Sequence, residues 1–259
     1  MGGLIPVQKG HLPLLQFRHL ADQEGLQHGI TTRNGGVSPP PCQSLNLSWA
    51  AADAAAVVEE NRRRLQLAMA PGRLVFIRQV HGNAVLSLKH RPDRGDFPVV
   101  GTADAVITDR AGLLLTILVA DCQAVLLFDP RQRVVANVPS GWRSSVANIV
   151  GATVAAMEQN FGCRSGDILA GVGPSLGPCC AEFRNYRREI PSSLWGYRVS
   201  AHNFDFWALS RDQLTAAGLR ADRIRLGRIC TRCHPERFYS YRAGHQTGRF
   251  AAVIGMTPG

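Results

Sequence analysis

Residues 99–128, VVGTADAVITDRAGLLLTILVADCQAVLLF, contain the pattern that decides the fold. Val99 to Thr108 and Leu113 to Phe128 are β-branched and apolar enough to be strands buried on both faces, the kind that reads as a continuous hydrophobic run. Two polar interruptions break them, Asp104 in the first and the pair Asp121-Cys122 in the second. A carboxylate or thiol set into such a run marks a place where a strand stops, and interrupted strands border active sites. The same run excludes a membrane span, because it is too short to cross a bilayer and carries Asp121 at its centre.

Outward from this stretch, strand and helix signals alternate. Arg73 to Leu88 reads as two β-rich pieces broken at His81-Gly82, which puts His81 at a strand end or turn. Val134 to Val138 reads as a short strand, and PSGWRSS then turns into a helix from about Ser144 to Phe161, with Val146, Ile149, Val150, Val154 and Met157 at helical spacing. Asp167 to Val172 reads as a further strand, followed by a GPSLGPCC loop and a helix from about Asp205 to Ala217. No tandem repeat, low-complexity run or long linker is present. The expectation is a single α/β (α+β) domain over residues 1–259, with mixed β-sheets flanked by helices, a length that can bury one large core.

Composition narrows the function classes. The net charge is +10 and almost all of the positive charge is arginine, since lysine occurs only at Lys9 and Lys89. Arginine offers planar, bidentate hydrogen bonds to anions, but a GC-rich coding sequence would also favour it. The arginines are spread along the chain without interleaved aromatics, so nucleic acid is an unlikely partner and small anions are the better fit. The amino terminus lacks the pattern of a secretory signal. The seven cysteines are an odd number, which argues for free thiols in a reducing compartment and for a cytoplasmic location.

Reactive side chains concentrate in four segments: RQVHG around His81, VADC around Cys122, PSGWR around Arg143, and CTRCHPERFYSYR from Cys230 to Arg242. Taken singly, each has a bland meaning, because a lone histidine is often a hydrogen-bonded structural residue and a cysteine in an apolar strand is usually inert packing. Cys230 to His234 matches the C-x-x-C-H pattern of covalent haem attachment, which is rejected here for want of an export signal. A thioredoxin-like reading of the same pair lacks the strand leading into a helix that it needs. The glycines of Gly171 to Gly177 lack the lysine and Ser/Thr of a phosphate loop and mark a tight turn instead.

Together with TTRNGGVS (Thr31 to Ser38), SLNL (Ser44 to Leu47), GTADA (Gly101 to Ala105), VGPSLGPCC (Val172 to Cys180) and TGR (Thr247 to Arg249), these segments resemble the ordered motif set of the YfiH-like family. That family is also called the laccase-domain or polyphenol oxidase family. The resemblance runs from about residue 28 to the carboxyl end. It implies a zinc centre built from the histidine of QVHG, the cysteine of ADC and a histidine just before GWR. His81 and Cys122 supply the first two, and Pro139 stands at the third place. Proline offers no side-chain donor, and a catalytic zinc normally keeps three protein ligands, so zinc is expected to be held weakly or not at all, with copper the weaker candidate. A replacement donor would come from another segment, such as His234 or His245, or in part from Ser140 or a neighbouring backbone carbonyl.

The resemblance further implies a purine nucleoside phosphorylase acting on adenosine or inosine with phosphate, with adenosine deamination as a side activity. The implied catalytic set is His81, Cys122, Asp121 and Arg143, and the implied substrate contacts are Arg33, Asn46, Gln79, Asp104 and Arg242. Three other readings stand beside it. One is a non-catalytic nucleoside- or anion-binding descendant, favoured by Pro139. A laccase-like polyphenol oxidase is disfavoured because the eight histidines form no H-x-H repeats. A cysteine hydrolase at Cys122 would lack the histidine that Pro139 displaces and would suffer from the charge of Asp121.

Overall fold

The computed structural model describes residues 3–92 and 95–258. In chain order the strands are β1 Leu4–Lys9, β2 Leu12–Phe17, β3 Leu26–Thr31, β4 Arg73–Arg78, β5 Val85–Ser87, β6 Val99–Thr102, β7 Ala105–Thr108, β8 Leu113–Val119, β9 Gln123–Asp129, β10 Val134–Ser140, β11 Leu169–Val172, β12 Ile224–Leu226 and β13 Phe250–Met256. The helices are α1 Arg18–Ala21, α2 Ala55–Ala68, α3 Trp142–Val146, α4 Ile149–Phe161, α5 Tyr186–Glu189 and α6 Phe206–Ala216. The strands form two mixed sheets, one in the order β1-β2-β3-β13-β8-β4-β6 and the other β12-β11-β9-β10-β7-β5.

The sheets stack face to face as one mixed α/β domain, and strand alternation explains how. Along β8, Leu113, Leu115, Ile117 and Val119 face the core between the sheets, where they meet Leu126 and Phe128 of β9, while Leu114 faces the other way. That outer face of the first sheet is covered by Leu65 of α2 and by Leu45, Leu47 and Met69. On the second sheet, Val125 and Leu127 point outward to Ile149, Val150, Val154 and Met157 of α4 and to Leu214 of α6. Both faces of both sheets are thus covered, which is why residues 113–128 read as an unbroken apolar run rather than an alternating one.

The interruptions turn out to be sheet-switch points. β4, β6 and β8 lie side by side and parallel in the first sheet. Each is followed directly by a strand of the second sheet, β5, β7 and β9 respectively. The chain therefore passes from the first sheet to the second three times, through residues 79–84, through Ala103-Asp104, and through Ala120-Asp121-Cys122. Parallel neighbours cross at the same end, so topology draws together segments that sequence separates.

One expected element is split. The helix expected from Ser144 to Phe161 is two helices, because Asn148 adopts a left-handed backbone (φ 56) and its side chain caps α4 by accepting the Gly151 N–H at 3.2 Å. Among the described residues no helix is long and apolar enough to cross a membrane.

Candidate active site at the sheet crossings

Each crossing places one reactive group at the same junction. Asp104 is buried beneath the first turn, and its Oδ1 accepts the Val80 N–H at 3.0 Å while its other oxygen faces Gly82. That carboxylate fixes the turn on which His81 is exposed. His81 itself holds a left-handed backbone (φ 64), as does Asp121 (φ 84) at the third crossing. Non-glycine residues are uncommon in this region, and strain of this kind persists only where the surroundings impose it.

His81 and Cys122 converge on Gly141, the residue that links β10 to α3. A Cβ at Gly141 would lie 2.9 Å from the Cys122 Sγ and 3.7 Å from the His81 Cδ2. The sulfur and the ring therefore flank one point, although the two residues are far apart in the chain. Burial pushes the Cys122 thiol up to about 11, Asp121 adds to the rise, and Arg249 opposes it. In the absence of a metal the thiol is protonated at neutral pH.

Pro139 lies two residues before Gly141, buried in β10 opposite Ala124 and past the last residue that pairs with β7. A strand position without that second neighbour tolerates a missing N–H. The adjacent Ser140 hydroxyl is spent on Ser145, 2.9 Å away. His234 is half-buried and faces Glu236 at 3.2 Å, and His245 stacks edge-on against Tyr241. Among the described residues no third His, Cys, Asp or Glu joins His81 and Cys122 in a metal-holding group. Two donors and a proline do not fit the three-ligand zinc centre, so no chemical step is assigned to a metal here.

The other residues singled out from sequence divide by how free their polar atoms are. Asp121 is fully engaged as a clamp, with Oδ1 accepting the Thr231 hydroxyl at 2.6 Å and Oδ2 accepting the Arg242 N–H at 2.7 Å. Asn46 is completely buried. Its amide nitrogen donates to Ser48 and Asp53, and its oxygen accepts from the backbones of Ser48 and Arg249, so it anchors a loop and has no group left to offer a ligand. Gln79 accepts the Leu118 N–H at 3.2 Å, which ties the His81 turn to β8. Arg33 donates to the carbonyls of Gln43 and Pro235 and lies over the Tyr239 ring. Arg242 donates to the Glu182 carbonyl and lies over Phe183. Arg143 is exposed, stacks on Trp142 at 4.1 Å, and its guanidinium has no hydrogen bond or ion pair among the described residues.

Sequence reading gave no role to Arg249 or Thr231, which act on Cys122 and Asp121 from the carboxyl-terminal segments. The TGR motif was the only signal for Arg249. Two surface hollows, of about 1080 and 750 Å³, are lined by other residues, the second by Arg184, Arg187, Arg188 and Arg198. Neither is lined by His81, Cys122 or Gly141, so the candidate site rests on side-chain chemistry and not on cavity size.

Comparison with known proteins bears on the family and the fold. A protein named purine nucleoside phosphorylase from Bacteroides thetaiotaomicron is 31% identical over 260 residues, covering 93% of this chain and 95% of that one. One of the same name from Xylella fastidiosa is 36% identical over 236 residues, covering 86% and 89%. The crystal structure of YlmD from Geobacillus stearothermophilus superposes with a TM-score of 0.85 at 30% identity, covering 98% of this chain and all of that one. The structure of Bacillus licheniformis hypothetical protein YfiH gives 0.83 at 25% identity, covering 94% and 96%. The family model described as multi-copper polyphenol oxidoreductase laccase matches residues 27–257, and the chain belongs to that family.

Proposed function

We propose that this chain is a purine nucleoside phosphorylase that cleaves adenosine or inosine with inorganic phosphate at the His81–Cys122–Gly141 junction, in the cytoplasm. The observation that carries the reading is the meeting of the His81 ring and the Cys122 sulfur at Gly141, two residues from the free guanidinium of Arg143. The names of the relatives supply the reaction class.

In phosphorolysis a phosphate oxygen bonds to the anomeric carbon as the glycosidic C–N bond breaks, and the base leaves with the bonding pair. The site must therefore hold the phosphate, offset positive charge at the sugar carbon, and orient the base. Arg143 is the best-placed phosphate ligand, since Arg33 and Arg242 already donate to carbonyls. Asp104 positions His81, and Asp121 holds the 231–242 segment against Cys122. Adenosine deamination is the weaker activity on this reading, because it needs a metal to generate hydroxide at neutral pH and the donor set falls short.

The missing third donor also favours a second reading, a nucleoside- or anion-binding descendant without turnover. Phosphate-dependent release of hypoxanthine from inosine separates the two. On the enzyme reading, Arg143→Ala raises the KM for phosphate about 10-fold or more, in line with loss of a charge-assisted hydrogen bond, and Arg143→Lys restores part of it. A protein that releases no base yet gains thermal stability from inosine sinks the enzyme reading.

A further inference from the structure

A second cluster of soft ligands lies in the same half of the molecule, outside the junction. Cys179 and Cys180 lie in the loop between β11 and α5, and Cys230 and Cys233 lie in the segment after β12. The four Sγ atoms all fall within 4.8 Å of one another. The Cys233 Sγ is 3.6 Å from that of Cys179 and 3.5 Å from that of Cys180. These separations are too long for a disulfide bond, about 2.05 Å, and all seven cysteines are free. Four thiolates about 2.3 Å from one tetrahedral ion stand about 3.8 Å apart, close to the observed spacing.

The surroundings are those of a built site. The Gly177 N–H points at the Cys230 Sγ from 3.3 Å, the kind of outer hydrogen bond that orients a metal-bound thiolate. Glycine is required there, since a Cβ at residue 177 would lie 3.0 Å from the Cβ of Cys230 and 2.7 Å from the Trp207 ring. The two loops are laced together beside the thiols, with Ser175 N–H donating to the Ile229 carbonyl and Thr231 N–H donating to Ser175. Cys230 is buried, whereas Cys179 and Cys233 are exposed, so an ion can reach the group from solvent.

We propose that Cys179, Cys180, Cys230 and Cys233 form a four-thiolate zinc site. Soft thiolates in a tetrahedral set select zinc or a single iron, and their crowding within one coordination sphere leaves no room for an iron–sulfur cluster. The ion cross-links two loops that both grip Asp121, through Leu176 N–H on its carbonyl and the Thr231 hydroxyl on its carboxylate. Its role is to hold Asp121, and with it Cys122, in place. The site does not depend on the phosphorylase reading, nor on metal binding at His81.

Elemental analysis of protein purified without added metal tests the proposal, alongside a His81→Ala/Cys122→Ala double variant and Cys233→Ser. About one zinc per chain is expected in the wild type and in the double variant, with a drop of 10-fold or more in Cys233→Ser. Cys233 is exposed, so its serine variant should fold, and a Co²⁺ titration of the wild-type chain gives an independent readout. Cobalt replacing zinc should show the intense visible bands and thiolate charge transfer of a tetrahedral four-sulfur site. Stripping the zinc should lower Tm by about 5 °C or more. The proposal is overturned by wild-type protein that carries no zinc and shows no four-sulfur cobalt spectrum, by iron in place of zinc, or by zinc that is lost in the double variant and kept in Cys233→Ser.

Discussion

At the scale of the residue, the site depends on an absence of atoms. Gly141 has no side chain where a Cβ would come within 2.9 Å of the Cys122 sulfur, closer than van der Waals contact allows. Gly141→Ala should displace the Cys122 side chain away from His81 at an overpacking cost of about 1–3 kcal/mol. The expected result is a fall in base release of about 10-fold or more with the circular dichroism spectrum retained. Full activity in this variant would show that the Cys122–His81 approach is unimportant. Pro139 acts in the opposite sense, by filling a strand position with a ring that cannot donate to a metal. That ring is buried in β10 opposite Ala124.

At the scale of the element, the sheets are joined by a polar staple as well as by apolar packing. The side-chain nitrogen of Asn137, in β10, donates to the Leu115 carbonyl of β8 at 2.8 Å and to the Ala252 carbonyl of β13 at 2.9 Å. Asn137 is fully buried, so truncating it leaves a hole and two carbonyls with one partner fewer. Asn137→Ala should cost about 1–3 kcal/mol, read as a lower urea midpoint with an unchanged slope. A shift within error would mean that the apolar core alone sets how the sheets stack. The interrupted strands of the sequence belong to this scale too. Asp104 and Cys122 announced breaks, but the breaks proved to be passages between two sheets, which periodicity along one strand cannot convey.

At the scale of the whole molecule, two histidines make stability sensitive to acid. His28 is buried in β3 and its Nε2 accepts the Phe17 N–H, while the His19 Nε2 donates to the Ala170 carbonyl of the opposite sheet. Burial lowers His28 to about 3 and His19 to about 4. Between those values and the ordinary 6.5, the unfolded chain takes up protons that the folded chain refuses. Stability should therefore be greatest above about pH 6.5 and fall as the pH drops toward 4, by up to about 1.4 kcal/mol per unit for His28. Urea midpoints at pH 7, 5.5 and 4.5 should decline less steeply in His28→Gln, whose amide oxygen can still accept the Phe17 N–H. Parallel profiles for the two proteins would refute the assignment.

The amino-acid sequence by itself determined the class of fold, because buried strands and amphipathic helices are written in local hydrophobic order that any chain of this pattern must satisfy. It also determined which side chains could do chemistry, since His81, Cys122, Asp104 and Arg143 stand out by type against apolar or glycine-rich neighbours. Tertiary structure alone decided which of them meet. Three parallel crossings bring His81, Asp104 and Cys122 to one end of the stacked sheets, while Asn46 is drawn inside and saturated by its own loop. The four thiols show the same division: the CC pair and the C-x-x-C turn are plain in the sequence, yet 53 residues separate Cys180 from Cys233. Only a folded backbone, through the parallel pairing of β11 with β12, carries them into contact.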